Sequence, residues 1–127
     1  MVEVDTKETD PMERMCEMYF LIKDLINKSN PDLVVIEGIQ FQRNYHTFSI
    51  LSRVQGQILA ILFEKNIAFY IVEPTKWKSF CGIKGRKRAE QKDDTIQMVK
   101  TKFNLDVGED IADAIGIGLW GINTLIK

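Results

Sequence analysis

The stretch LVVIE, residues 33–37, is an uninterrupted apolar run that ends in a carboxylate. The breaker Asn30-Pro31-Asp32 comes directly before it. A short apolar run bounded by a turn signal is typical of a strand that is buried on both faces, as in a parallel sheet. The sequence therefore predicts a buried strand with Glu37 at its carboxyl end, and this is the edge where open α/β sheets place ligands.

Helical patterns lie on both sides of this strand. Apolar residues recur at spacings of three and four from Met12 to Ile26 and again from Phe48 to Leu62, which is the period of an amphipathic helix. The first helix begins at Pro11, behind Asp10 as its N-cap. The other predicted elements are a short strand at 2–5, a strand at 67–72, and helices at about 45–65, 75–81, 89–103 and 109–126. Strands that alternate with helices imply a parallel sheet with helical crossovers.

Size and composition indicate one ordinary globular domain over residues 1–127. The chain is 45% hydrophobic and 28% charged, which is typical of a globular protein. Its net charge is −1, so the overall charge does not indicate nucleic-acid binding. No apolar run is long enough to span a bilayer, and no signal peptide opens the chain. Cys16 and Cys81 show neither metal-binding nor disulfide spacing. We therefore expect a cytoplasmic protein with reduced thiols and no membrane partner.

A glycine pattern near the end of the chain raises a nucleotide-binding alternative. The segment EDIADAIGIGLWG, residues 109–121, contains G-x-G-x-x-G. That fingerprint binds a dinucleotide only where it joins a strand to a helix within a βαβ unit. Here the preceding residues are helical in composition, and the six residues that follow are too few for a second strand. The predicted role of Ala112, Ala114, Gly116 and Gly118 is instead to let a helix approach the sheet closely.

The same segment carries three acids. Asp110 and Asp113 share a helix face, and Glu109 lies four residues from Asp113. The helix dipole alone favours Glu109 and Asp110 in a first turn. Glu37 favours a metal site, because a strand-end carboxylate is costly to bury without a cation or a hydrogen bond. Carboxylates from a strand end and a helix suit a hard divalent cation that serves phosphodiester hydrolysis.

Two polar segments are candidates for nucleic-acid contact. KGRKRAEQK, residues 84–92, has five cationic residues and one acid. It is either a solvated loop or a phosphate-binding segment, and Gly82 and Gly85 favour the second interpretation by making the loop mobile and open to phosphates. QFQRN, residues 40–44, follows Glu37 closely, and Phe41 there suits stacking on bases. His46 is interpreted as an ordinary surface or capping residue.

Four segments in chain order carry a family resemblance: PDLVVIEGIQFQRN (31–44), LSRVQGQI (51–58), VEPTKWKSFCGIKGRKRAEQK (72–92) and EDIADAIGIGLW (109–120). Together they resemble the RuvC-type Holliday junction resolvases of the ribonuclease H-like superfamily, over nearly the whole chain. The resemblance implies an α/β, ribonuclease H-like fold of three layers with a mostly parallel sheet. It also implies a homodimer that nicks two strands of a four-way DNA junction with Mg²⁺ or Mn²⁺.

The resemblance also assigns roles to residues. Glu37, Asp110 and Asp113 match three of the four catalytic, metal-binding carboxylates of the family. The segment after Glu37 matches the loop that enters the junction. The residues predicted to contact DNA are Phe41, Arg43, Asn44, Lys78, Lys84, Arg86, Lys87, Arg88 and Lys92.

The chain departs from the family at its start. The family opens with a strand that ends in Asp and continues into a Gly-rich hairpin, whereas VEVDTKETDPMERM resembles only a later strand and the lead into the first helix. We therefore expect a domain truncated at the N-terminus, with Asp5 as a candidate substitute for the first carboxylate. Three functions stay open: a junction-resolving endonuclease or an inactive fragment of one, a non-catalytic nucleic-acid-binding domain of this fold, and a related nuclease with other substrates.

Overall fold

A computed structural model describes residues 3–40 and 43–126. The elements are α1 (Pro11–Ser29), β1 (Leu33–Glu37), α2 (Tyr45–Glu64), β2 (Ala68–Val72), α3 (Pro74–Phe80), α4 (Arg88–Phe103) and α5 (Glu109–Leu125). β1 and β2 pair in a parallel two-stranded sheet. The fold is α/β, as the sequence predicted, and these seven elements lie close to their predicted bounds. In the part of the chain that the structure describes, no helix is long and apolar enough to cross a membrane.

The predicted strand at 2–5 is wrong over its described residues. Residues 3–9 are neither helix nor strand, and Val2 lies outside the described part. The guanidinium of Arg14 donates to the carbonyl of Thr6 at 3.2 Å and to that of Glu8 at 2.9 Å. These bonds satisfy the carbonyl oxygens of Thr6 and Glu8, which lie just after the predicted strand.

Local sequence sets the helix ends. The Asp10 carboxylate accepts from the backbone N–H groups of Met12 and Glu13, each at 3.0 Å, and so caps α1 as predicted. Asn30 and Asn104 end α1 and α4 in the left-handed conformation, at φ values of 45° and 54°. Asparagine adopts this conformation more readily than most residues, which explains why these positions end helices.

The described chain divides into two compact units. In the α1–α2 unit, which holds residues 3–34, 39–40 and 43–70, helix α1 packs against α2. In the α3–α5 unit, which holds residues 35–38 and 71–126, helix α5 packs against α3 and α4. The core of the α3–α5 unit is formed by Val72, Trp77 and Trp120, with Val35 and Ile117 packed on it. All three predicted catalytic carboxylates lie in this second unit, and the prediction of a single domain over 1–127 stays a prediction.

Two glycines of α5 allow close packing in the α3–α5 unit. A Cβ at Gly116 would lie 2.5 Å from Cζ3 of Trp77, and a Cβ at Gly121 would lie 2.9 Å from Cγ2 of Val35. Close-packed interiors do not accommodate such contacts. The predicted steric role is therefore confirmed for Gly116, although its neighbour is α3 and not the sheet, and Gly121 permits close packing although no such role was predicted for it. The same role is wrong for Gly118 and Ala114, because Gly118 faces open space and Ala114 is exposed.

Candidate active site

Glu37 ends β1, and a buried indole contacts its carboxylate. Nε1 of Trp77 donates to Oε2 of Glu37 at 2.6 Å. Trp77 lies in α3, which follows β2 directly, and its side chain is 0% exposed. A hydrogen bond to an ionised acceptor is short and strong, more so where water is excluded. The predicted strand-end position of Glu37 is confirmed, and the structure adds a hydrogen-bond donor that the sequence pattern does not indicate.

Asp113 is half-buried in α5, and the charges of the other acids affect the pKa of its carboxyl group. Its burial is the largest cause that raises the pKa of its carboxyl group, and the charge of Glu37 is the next. The charges of Asp110 and Glu109 raise this pKa further, whereas the ammonium of Lys78 lowers it. Interactions of this kind act over short distances. Glu37, Asp110 and Asp113, called the acidic cluster below, thus share one electrostatic environment.

The acidic cluster fits a hard divalent cation in the type and charge of its donor atoms. Carboxylate oxygens are the ligands of Mg²⁺, and a cation relieves the repulsion that raises the pKa of Asp113. Within residues 3–40 and 43–126, however, no three side chains of the His, Cys, Asp or Glu type are placed to hold one metal ion. Mg²⁺ often takes only one or two carboxylates and completes its shell with water. The three-residue ligand set therefore stays a prediction.

Lys78 connects the acidic cluster with the basic segment, residues 84–92. Its ammonium lowers the pKa of Asp113, and its Nζ donates to Oε1 of Gln91 at 3.1 Å. The amide nitrogen of Gln91 donates in turn to the carbonyl of Gly85 at 3.0 Å. One side-chain amide therefore joins the lysine beside the carboxylates to the loop that precedes α4. Sequence reasoning missed Gln91 because no local pattern indicates its partners.

The loop of the basic segment is tied to α4, contrary to the expectation of a mobile loop whose backbone is open to phosphates. The N–H of Gly85 donates to Oδ2 of Asp94 at 2.8 Å. Oε2 of Glu90 accepts from the N–H groups of Arg86 at 2.9 Å and Lys87 at 3.2 Å. A Cβ at Gly85 would lie 2.7 Å from Cβ of Glu90, so this glycine permits close packing on the helix. The cationic side chains remain exposed, namely those of Lys84, Arg86, Lys87 and Arg88.

Other predicted site residues have roles that the sequence did not indicate. Lys92 forms an ion pair with Glu109 at 2.9 Å, within the α3–α5 unit. In the α1–α2 unit, Oδ1 of Asn44 accepts from the N–H of Thr47 at 3.3 Å and so caps α2. Arg43 is exposed, as is His46, and Phe41 lies outside the described residues.

The candidate substitute carboxylate, Asp5, also lies in the α1–α2 unit. Its side chain is 81% exposed, and its Oδ1 lies 3.7 Å from a guanidinium nitrogen of Arg14. It accepts the N–H of Thr6 at 2.7 Å. These contacts give Asp5 a local structural role at the entry to α1, and a role as a metal ligand stays a prediction.

A sequence profile and similar proteins indicate the same family for this chain. The sequence profile described as "Crossover junction endodeoxyribonuclease RuvC" matches residues 2–120. A protein of that name from Alkaliphilus metalliredigens is 31% identical over 123 residues, which are 93% of this chain and 71% of the relative. Another, from Fusobacterium nucleatum, is 30% identical over 128 residues, which are 98% of this chain and 65% of the relative. The chain thus spans about two thirds of the length of these relatives.

Solved structures agree on the fold. The structure described as "T. thermophilus RuvC in complex with Holliday junction substrate" matches with a TM-score of 0.70 at 19% identity, over 93% of this chain and 70% of that one. A further Thermus thermophilus RuvC structure matches with a TM-score of 0.68 at 21% identity, over the same shares of the two chains. The ribonuclease H-like fold that the four sequence segments implied is confirmed. The chain belongs to the RuvC family of crossover junction endodeoxyribonucleases.

Proposed function

We propose that this chain is a divalent-metal-dependent endonuclease that acts on four-way DNA junctions. The observation that carries the proposal is the charge coupling within the acidic cluster, where Glu37 and Asp110 raise the pKa of a half-buried Asp113. Family membership supports the reaction class, and the relative solved in complex with a Holliday junction supports the substrate class. The activity is proposed for the acidic cluster and the basic segment of this chain.

The acidic cluster holds Mg²⁺ or Mn²⁺ in this proposal. When bound, the ion supplies an activated water molecule and stabilises charge on the phosphate oxygens. Glu37 contributes a carboxylate whose Oε2 is already hydrogen-bonded to Trp77. Asp113 contributes a carboxylate whose raised pKa reflects unfavourable burial and repulsion, which a cation relieves. Lys78 exchanges its contact with Gln91 for a phosphate oxygen of the DNA.

The basic segment supplies non-specific phosphate contacts. Four of its cationic side chains are exposed at the start of α4, whereas Lys92 is already paired with Glu109. Each phosphate contact releases counterions and contributes roughly −0.9 to the slope of log K against log salt concentration. We therefore expect junction binding with a slope of roughly −3 to −4 from this segment. Replacing Lys87 with Ala should reduce the slope by roughly one, without changing the preference between DNA sequences.

A cleavage assay tests the proposed function. A labelled four-way junction is incubated with the chain and Mg²⁺ or Mn²⁺, beside a linear duplex of the same sequence. We expect paired nicks in the junction only, no cleavage with EDTA, and a loss of at least about 100-fold for Glu37→Gln and for Asp113→Asn. Both variants should still bind the junction. Cleavage that persists in both variants would remove the acidic cluster from the reaction.

A second candidate function is favoured by one observation. Among the described residues no three potential ligands form a ready-made metal site. A ribonuclease H-like domain that binds branched DNA without cutting it is consistent with that arrangement. The same assay separates the two functions, because a binding domain would retain the junction in a gel-shift experiment and leave it intact at every concentration of Mg²⁺ and Mn²⁺.

We also propose that the chain acts as a homodimer, since symmetric cutting of two strands requires two active sites. Large apolar side chains on the surface support a protein partner: Phe63 of α2 is 83% exposed and Phe20 of α1 is 66% exposed. Light scattering across a concentration series should give twice the monomer mass of 14.7 kDa. A constant monomer mass at the concentrations used for cleavage would contradict the homodimer.

A further inference from the structure

We propose that Trp77 is a positioning residue, which fixes the orientation of the Glu37 carboxylate for metal binding. The inference rests on the proposed function, because it concerns the same metal site. Its first support is the hydrogen bond of 2.6 Å from Nε1 of Trp77 to Oε2 of Glu37. A ligating carboxylate that receives a hydrogen bond from a second residue is held in one orientation, and such partners strongly affect metal affinity.

The indole is itself held rigidly. Trp77 is 0% exposed and packs with Val72 and Trp120 in the core of the α3–α5 unit. Its ring lies so close to α5 that a Cβ at Gly116 would be 2.5 Å from Cζ3 and 2.8 Å from Cε3. A ring packed on several sides has few alternative rotamers. The donor therefore presents its N–H in a fixed direction.

The backbone of the strand end is fixed as well. The N–H of Gly38 donates to the carbonyl of Val72 at 2.8 Å, which extends the pairing of β1 with β2 beyond Glu37. The main chain around Glu37 is thus held by the ladder, while the carboxylate at the end of its flexible side chain is held by Trp77. Preorganisation of this kind removes the cost of ordering the side chain when the cation binds.

Trp77 also relates Glu37 to the acids of α5. Asp113 lies three residues before Gly116, so the two positions are on the same face of the helix. One edge of the indole therefore contacts Glu37, and another part of the ring contacts α5 one turn from Asp113. The ring acts as a rigid spacer between the strand and the helix that carry the acidic cluster. A smaller side chain would loosen this spacing even if the fold survived.

The test compares Trp77→Phe with Trp120→Phe. Both variants remove the same ring volume from the same core cluster. The affinity for Mn²⁺ is measured in the absence of DNA, from the concentration of free Mn²⁺ determined by electron paramagnetic resonance. We expect the Mn²⁺ affinity of Trp77→Phe to fall about 10-fold, because loss of a hydrogen bond to a ligating carboxylate has effects of that size. Trp120→Phe, which keeps the hydrogen bond from Trp77 to Glu37, should stay within about 2-fold of the wild-type chain.

A second measurement reports the hydrogen bond without any metal. The chain has two tryptophans, so its ¹⁵N spectrum contains two indole N–H signals, and Trp77→Phe identifies one of them by removing it. We expect Glu37→Gln to shift the Trp77 signal upfield, because a charged acceptor is replaced by a weaker neutral one. Addition of Mg²⁺ to the wild-type chain should shift the same signal.

The outcomes separate the two proposals. If the wild-type chain binds Mn²⁺ and Trp77→Phe binds it equally well, the positioning role is overturned while the proposed function stands. The positioning role is also overturned if Glu37→Gln leaves the Trp77 indole signal in place. If Glu37→Gln shifts that signal but the wild-type chain binds no Mn²⁺ and cuts no junction, the proposed function fails and with it the role of Trp77 toward a metal.

Discussion

Replacement of Gly116 by alanine should strain the contact between α5 and α3. The new Cβ would lie 2.5 Å from Cζ3 and 2.8 Å from Cε3 of Trp77. Carbon atoms in favourable contact are about 3.5–4.0 Å apart. Relief therefore requires a movement of about 1 Å by the ring or the helix. The ring is fully buried, and the helix is held by its contacts with both α3 and α4.

Two opposing effects determine how much Gly116→Ala changes the free energy of unfolding. Overpacking of a dense core costs about 1–3 kcal/mol. Alanine in a helix interior is favoured over glycine by about 0.8–1 kcal/mol, which offsets part of that cost. Gly118 lies in the same helix, and a Cβ there would meet nothing within 4 Å. Gly118→Ala should therefore stabilise the chain by up to about 1 kcal/mol.

The comparison of the two variants removes the propensity effect, because both gain the same methyl group in the same helix. Their free energies of unfolding, measured by urea denaturation, should differ by about 1–3 kcal/mol, with Gly116→Ala the less stable. We also expect the Trp77 indole signal to shift in Gly116→Ala alone, since the displaced ring carries the donor to Glu37. Equal stabilities for the two variants would refute the close approach of α5 to Trp77 and the rigid placement of the indole with it.

Three other changes give defined outcomes. The pKa of Asp113 is raised by burial and by Glu37, so the folded state favours the protonated form and loses stability as pH rises from below 3.8 through the folded pKa; urea denaturation across that range should show Asp113→Asn gaining on the wild-type chain, and an unchanged difference in stability across that range would contradict the raised pKa. Asp94→Ala removes the acceptor of the Gly85 N–H, so exchange of that amide should accelerate about 5- to 10-fold, and an unchanged rate would show that the loop is held in another way. Asp10→Ala removes the cap of α1 and should cost about 1 kcal/mol in thermal denaturation; Asp24→Ala, which removes only an exposed ion pair with Lys28 in the same helix, should have a much smaller effect on stability.

Local patterns in the sequence predicted most of the fold. The period of α1 and α2, the breaker before β1 and the cap at Asp10 are each set by residues within one or two turns of each other. The predicted strand at 2–5 was wrong over its described residues, 3–5. Alternation in VEVD fits a strand, but Arg14, several residues away, forms an ion pair with Asp5 and donates to the carbonyls of Thr6 and Glu8 just after it. Four residues of alternating pattern also provide too few ladder bonds to outweigh such contacts.

The sequence led to a prediction for the acids of the candidate site, which stays a prediction, and to none for their surroundings. A carboxylate at a strand end and two on one helix face have chemical signatures, because acids in apolar contexts require a counter-charge or a donor. The residues that organise them have no such signature. Trp77 and Glu37 are separated by 40 positions, and Lys78 and Gln91 by 13. Such pairs are created by the packing of α3 against its neighbours, which single-sequence periodicity does not determine.

The three glycines of the G-x-G-x-x-G pattern show how packing and chemistry are connected in this chain. Gly116 and Gly121 face different neighbours, Trp77 of α3 and Val35 of β1, and Gly118 faces open space. A phosphate-binding loop would require the glycines to act together on one ligand, whereas here two of them act separately against two elements of the same core. Val35 lies two residues before Glu37 in β1, and Trp77 donates to Glu37 directly. Both close contacts of α5 are therefore made with residues that adjoin Glu37, so the packing of Gly116 and Gly121 is against the two elements that place its carboxylate.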